Sequence, residues 1–246
     1  MKIMLITGAS RGIGAATALL AAEAGYAVAV NYFQSEQAAR DIVAQIEERG
    51  GKAITIQADA SNADDVVRMF RETDERLGRL DVLVNNAGVL ETQMRLEDMA
   101  SDRWQRVLNA NVVGPFLCSQ QAIARMSPRY GGRGGAIVNV SSLAARTGSP
   151  NEYVDYAASK GALDSMTIGL AKEVAGDGIR VNAVRPAFIH TDIHASGGDP
   201  GRVERLKPSI PLQRGGTARE VAEAILFLAD KATFSTGTFI DVSGGR

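Results

Sequence analysis

MKIMLITGASRGIGAATALLAAEA (Met1–Ala24) reads as three devices in a row. Met1 to Thr7 is a short apolar run, the pattern of a strand buried on both faces. Thr7 to Gly14 is a glycine-rich turn, and Ala15 to Ala24 is a helix-forming alanine and leucine stretch. Strand, glycine turn and helix together make a pyrophosphate cradle. The glycines let the backbone turn tightly and approach the phosphates, and the helix N-terminus offers unpaired N–H groups and a positive dipole end. No Gly-Lys-Ser/Thr follows, which disfavours a triphosphate-binding P-loop.

The same alternation continues along all 246 residues. Apolar runs near 2–7, 26–31, 52–57, 81–85, 135–141, 179–184 and 238–242 are separated by helical patterns. These runs are almost wholly apolar instead of alternating, as in a parallel sheet covered on both faces. The expected fold is α/β: a Rossmann-type, doubly wound, seven-stranded parallel sheet in one domain over 1–246.

SSLAARTGSPNEYVDYAASK (Ser141–Lys160) carries the chemistry. Tyr156 and Lys160 are four apart, which on a helix stacks phenol and ammonium on one face. A tyrosine ionises near pH ~10. A fixed cation nearby favours the phenolate, and a shift of about three units, worth about 4 kcal/mol, makes Tyr156 an acid/base group near neutrality.

Together these segments resemble the short-chain dehydrogenase/reductase family over essentially the whole chain. Its Thr-Gly-x-x-x-Gly-x-Gly motif is met at Thr7, Gly8, Gly12 and Gly14, and its Asn-Asn-Ala-Gly at Asn85–Gly88. The resemblance implies a catalytic set of Asn111, Ser142, Tyr156 and Lys160. It also implies a nicotinamide dinucleotide held by Gly8, Ser10, Arg11, Gly12, Ile13, Gly14, Asn31, Tyr32, Asp59, Ala60, Asn86, Ala87, Gly88, Pro186, Ile189 and Thr191, with Tyr156 and Lys160. Two departures stand out. Ser142 precedes Tyr156 by fourteen residues, one more than usual, which an insertion within Thr147–Glu152 absorbs. Ala187 follows Pro186 where glycine is usual. Tyr153 has Ala157, not lysine, four residues on, and is not the catalytic tyrosine.

Asn111 lies in a helical pattern whose apolar stripe reads as Trp104, Val107, Leu108 and Val112. Pro115 has no N–H for the Asn111 carbonyl, so a bent helix is expected to free that carbonyl for a water beside Lys160, in the proton relay the resemblance implies. Asp59 matches a family position that contacts adenine; it also fits a helix-start region with Ser61 or Asn62.

The second strand ends without a carboxylate: Asn31, Tyr32, Phe33 and Gln34 follow it, and Glu36 is the first acid. NAD-choosing sites place an acid there to bind the ribose hydroxyls. The expectation is therefore NADP(H) over NAD, with Arg11, Asn31 and Ser35 serving the 2′-phosphate.

Residues 188–212, rich in Gly and Pro, read as a substrate lid. Arg202, Arg205 and Lys207 there are positioned for an anionic substrate or for solvent, and Arg125, Arg129, Arg133 and Lys172 for an acidic carrier protein. His190 and His194 lack the His-Glu-x-x-His pattern, so no metal is expected.

Net charge is −1, with basic residues scattered, which lacks the footprint of a nucleic-acid binder. The leading apolar run is too short for a signal peptide, and no stretch spans a bilayer. The one cysteine, Cys118, excludes an intrachain disulfide and fits a helix core in a reducing, cytoplasmic compartment. The helix at 153–175 has small or apolar residues on nearly every face, so a partner chain is expected to cover one side, giving a homotetramer by resemblance. The expected activity is hydride transfer between NADP(H) and a small carbonyl or alcohol substrate. The alternative is a dinucleotide-binding sensor without turnover.

Overall fold

A computed structural model describes residues 1–246. In chain order the strands are β1 (Ile3–Ile6), β2 (Ala27–Tyr32), β3 (Lys52–Gln57), β4 (Val82–Asn85), β5 (Gly135–Val140), β6 (Ile179–Pro186), β7 (Ile189–His190), β8 (Gly216–Thr217) and β9 (Phe239–Val242). The helices are α1 (Gly12–Glu23), α2 (Glu36–Glu48), α3 (Ala63–Arg76), α4 (Ser101–Leu108), α5 (Gly114–Met126), α6 (Ala144–Thr147), α7 (Val154–Glu173), α8 (Ile193–Ser196), α9 (Arg202–Leu206) and α10 (Ala218–Leu226).

Seven strands form one parallel sheet in the order β3-β2-β1-β4-β5-β6-β9. All seven expected strands are present. The two-residue pair β7–β8 is an addition, with Ile189 opposite Gly216 and His190 opposite Thr217.

Successive residues of β1 enter opposite halves of the core, as the pleat requires. Met4 and Ile6 join the half that includes Ala18 of α1, Ile42 of α2 and Ile225 of α10. Ile3 and Leu5 join the half that includes Phe70 of α3, Cys118 of α5 and Ala171 of α7. Both faces are covered, which explains the unbroken apolar strands. Cys118 is fully buried, as expected, and burial pushes its thiol up to about 12.

The strand order reverses between β1 and β4, and this switch point opens a crevice at the strands' C-terminal ends. No helix is long and apolar enough to cross a membrane.

The expected apolar stripe on α4 needs correction. Val107 is buried, but Trp104 and Leu108 are 38% and 43% exposed, and the buried neighbour is Arg103. Arg103 forms a buried ion pair with Asp155 at 2.7 Å and donates to the Thr92 carbonyl at 2.6 Å. Trp104, Leu108, Val113 and Phe116 are therefore solvent-facing apolar side chains along α4 and α5.

Candidate active site

A cleft of about 1030 Å³ runs along the C-terminal ends of the strands. Its wall begins at the glycine turn. Gly8 and Gly12 adopt φ of +61° and +56°, a region that favours glycine. A Cβ on Gly8 would stand 3.0 Å from Ala87 Cα, and one on Gly14 would stand 2.6 Å from both Asn86 Nδ2 and the Gly8 carbonyl. Gly14 is therefore a packing glycine behind the cradle; Gly8, Ser10, Arg11, Gly12 and Ile13 line the cleft itself.

Arg11 occupies the cap position of α1 without capping it through its side chain, so the first-turn N–H groups have no side-chain partner. The Thr7 hydroxyl accepts the N–H groups of Asn86 and Ala87, both at 3.0 Å, and Asn86 donates to the carbonyls of Thr7 and Gly8. These bonds lock the turn against the Asn85–Gly88 segment. Asn86, Ala87 and Gly88 continue the wall, followed by Pro186, Ile189 and Thr191 on the opposite side. Glycine cradle, uncapped helix start and cleft length all fit a dinucleotide.

At the far end of the cleft lie Asn31, Tyr32, Phe33, Gln34, Ser35, Asp59 and Ala60. The expectation that Asn31 donates to a phosphate is not met. Its side chain is buried, Oδ1 accepts from the Gly8 N–H at 3.0 Å, and Nδ2 faces the carbonyls of Tyr32, Ile56 and Ala58 at 3.1–3.3 Å. Asn31 stitches three strand ends together and has no donor left. Arg11 remains exposed on the cleft wall with no ion-pair partner. Asp59 spends one oxygen on the N–H and hydroxyl of Ser61, at 2.9 and 2.7 Å, while Asn62 caps α3.

Of the residues expected to be catalytic, Ser142, Tyr156 and Lys160 line this same cleft. Ser142 lies just past β5 and Tyr156 on α7, and the Ser142 hydroxyl accepts from the Ala144 N–H at 3.1 Å. Ser141 is buried and bonded instead to Asp164 at 2.6 Å, so Ser142 is the serine that faces the site. Between α6 and α7 the chain winds tightly, with Gly148, Ser149 and Asn151 at φ of 74°, 42° and 62°.

Lys160 is buried; its Nζ donates to the Val140 carbonyl at 2.8 Å and lies 5.6 Å from the Tyr156 ring centroid. The expected depression of the phenol does not follow from this geometry, because the ammonium faces the ring and not its oxygen. Burial pushes the Tyr156 phenol up to about 12, with the neighbouring Ser142 hydroxyl pulling the other way. Burial also pulls Lys160 down to about 8, against the attraction of Asp164. Burial thus keeps Tyr156 a protonated phenol at neutral pH.

Asn111 sits behind the cleft, fully buried, in a π-turn over Asn109–Val113 instead of a simple kink. The Gly114 N–H reaches the Asn109 carbonyl, and Pro115 has no N–H for the carbonyl of Asn111. The Asn111 side chain accepts from the Val89 N–H at 2.8 Å and donates to the Val89 carbonyl and Ser159 hydroxyl, each at 3.0 Å. It thus ties the Asn85–Gly88 segment to α7. Gly88 is required there: a Cβ would meet Asn111 Oδ1 at 3.0 Å.

Sequence reasoning did not anticipate how the segment 188–212 is fastened. Arg202 is not a free cation. It is buried, bonded to both oxygens of Glu152 at 2.9 and 2.5 Å, and lies 5.1 Å from the Tyr153 ring centroid. The Tyr153 hydroxyl donates to the Gly197 carbonyl at 3.2 Å. Arg205 and Lys207 meet Asp199 and Glu204 at 2.5 and 3.7 Å. Arg125 and Arg129 are likewise paired, with Asp74 and Asp177. His194 faces the Ile189 carbonyl at 3.0 Å and His190 faces Glu204 at 3.9 Å, so the two rings do not converge.

A family model described as enoyl-(acyl carrier protein) reductase matches residues 8–246. The uncharacterized oxidoreductase YgfF of Escherichia coli is 58% identical, with 100% of both chains covered. A 3-oxoacyl-[acyl-carrier-protein] reductase of Synechocystis sp. is 42% identical over 99% of this chain and 96% of its own. Among solved structures, a short-chain type dehydrogenase/reductase from Mycobacterium marinum superposes with a TM-score of 0.92 at 35% identity, over 99% of this chain and 94% of that one.

Proposed function

We propose that this chain, which belongs to the short-chain dehydrogenase/reductase family and is an oxidoreductase of that family, is an NADP(H)-dependent carbonyl reductase. The observation that carries the reaction type is a protonated Tyr156 sharing the cleft wall with Ser142, with buried Lys160 one turn along α7. When bound, the nicotinamide supplies hydride to the carbonyl carbon. Ser142 orients the carbonyl oxygen. Tyr156 gives its proton to that oxygen as negative charge develops there. Lys160 holds the nicotinamide ribose. Asn111 positions these groups, and its carbonyl, deprived of a partner by Pro115, accepts from a water that refills the proton.

Arg11, and the lack of any carboxylate among Asn31, Tyr32, Phe33, Gln34 and Ser35, support NADP(H) over NAD. Residues 188–212 close over the substrate. That end of the cleft is walled by Leu90, Leu143, Tyr153, Ile193 and Leu206, with Arg202 neutralised by Glu152. It fits a small carbonyl compound with apolar substituents.

The chain works as a homotetramer in the cytoplasm. The apolar side chains on α4 and α5 support association, as does the open space beside Gly161 and Gly169 on α7. A reducing compartment suits a lone buried thiol.

The test is a panel of ketones, aldehydes and alcohols with each nicotinamide cofactor, followed by nicotinamide absorbance. Consumption of NADPH with a ketone is expected. Tight NADPH binding without turnover on any member would favour the sensor instead.

A further inference from the structure

Asp164 is a buried carboxylate that none of these steps uses. It lies on α7 one turn beyond Lys160 and is 9% exposed. One oxygen accepts from the Ser141 hydroxyl at 2.6 Å. The other accepts from Arg185, at 2.9 Å from Nε and 2.8 Å from Nη2. Both partners adjoin the site. Ser141 immediately precedes Ser142, and its hydroxyl also reaches the Lys160 carbonyl at 3.3 Å. Arg185 immediately precedes Pro186, stacks 3.8 Å from the Phe239 ring centroid, and meets Asp241 at 3.5 Å. A buried carboxylate is costly even when paired, and an apolar side chain would fill the same space. Its charge, however, acts on a lysine that is also buried.

We propose that Asp164 is a positioning residue for the Ser142–Tyr156–Lys160 set: it ties the end of β5, through Ser141, and the end of β6, through Arg185, to α7 and places a carboxylate one helical turn from Lys160. The proposal rests on the catalytic roles given above. The groups facing Lys160 are few. Tyr156 and Asp164 share its helix, β5 contributes the Val140 carbonyl and Ser141, and the π-turn contributes the uncharged Asn111. From β6 comes Arg185, whose charge meets Asp164 first. Asp164 is the one group drawing the lysine upward against burial.

This arrangement has signs that packing alone would not produce. Asp164→Asn removes the favourable charge and makes Lys160 titrate lower, by about one pH unit. Arg185→Gln frees Asp164 to act on the lysine and makes it titrate higher. Arg185→Lys keeps the charge and leaves the titration in place. Simple loosening that admits water would raise Lys160 in every variant.

The chain has six lysines. Lysine labelled with ¹³C at Cε, with the Lys160 signal identified by its loss in Lys160→Arg, reports this titration by NMR in the full protein. No substrate is needed, so the outcome is separate from whether Tyr156 protonates a carbonyl. The expected result is a fall in Asp164→Asn and a rise in Arg185→Gln alone. A Lys160 signal that stays or rises in Asp164→Asn overturns the proposal. If that variant does not fold, Arg185→Gln and Arg185→Lys moving together overturns it.

Discussion

The Lys160 ammonium lies over the Tyr156 ring, 5.6 Å from its centroid, and is bonded to the Val140 carbonyl instead of the phenol oxygen. The two groups therefore titrate in an unexpected order. On raising pH, Lys160 loses its proton at about 8, while Tyr156 keeps its own to about 12. Ketone reduction should fall through a limb near pH 8, because the neutral lysine loses its charge-assisted hold on the nicotinamide ribose. Lys160→Arg, which stays charged, should remove that limb from the pH–rate profile even if the rate is lower throughout. A limb near pH 10 or above in the native protein would contradict this order.

Arg11 is the cation available to a 2′-phosphate. Arg11→Ala should weaken NADPH binding by about 10-fold or more, on the scale of hydrogen bonds to charged groups, and leave NADH binding within a factor of about two. Equilibrium titration by NADPH and NADH fluorescence decides it. Equal loss for both cofactors would mean that Arg11 serves the shared pyrophosphate.

Asn31→Asp should destabilise the fold instead of simply converting the cofactor preference. The new carboxylate would face the carbonyls of Tyr32, Ile56 and Ala58 where an amide now donates. A cost of about 1–3 kcal/mol is expected. Thermal melting would show it as a drop of several degrees, at about 2–4 °C per kcal/mol for a chain of this size. An unchanged Tm would show that the site tolerates the charge.

These contrasts separate what the sequence made legible from what it did not. The seven strands could be read because burial on both faces leaves apolar runs without a competing pattern. Tyr156 and Lys160 could be paired because four residues on a helix fix their shared face. The pair β7–β8 was missed, since two residues carry no periodicity. Asn31 was misread because a side chain at a strand end can turn toward the cleft or toward neighbouring strands, and spacing does not say which. Trp104 and Leu108 were assigned to the core because an apolar stripe looks the same whether its own chain or another covers it. The opposing pulls on Tyr156 depend on burial and on ring orientation, neither of which is written in a spacing.

The exposed apolar line of Trp104, Leu108 and Phe116 leads to a test of assembly. Phe116 is 53% exposed, so Phe116→Glu should cost the folded chain little. If this face is the contact of the proposed tetramer, it should nonetheless break the assembly by burying a charge there. Light scattering should report a four-chain mass for the native protein and a smaller one for the variant. A native protein that is monomeric at micromolar concentration would remove the tetramer from this account.

The most direct measurement compares native protein and Tyr156→Phe in NADPH-dependent reduction of a ketone that the native protein turns over, alongside NADPH binding and melting temperature. The phenylalanine keeps the ring under Lys160 and removes only the hydroxyl. The account predicts a rate lower by roughly 10²-fold or more, with folding and NADPH affinity retained. Near-native turnover by Tyr156→Phe would contradict it.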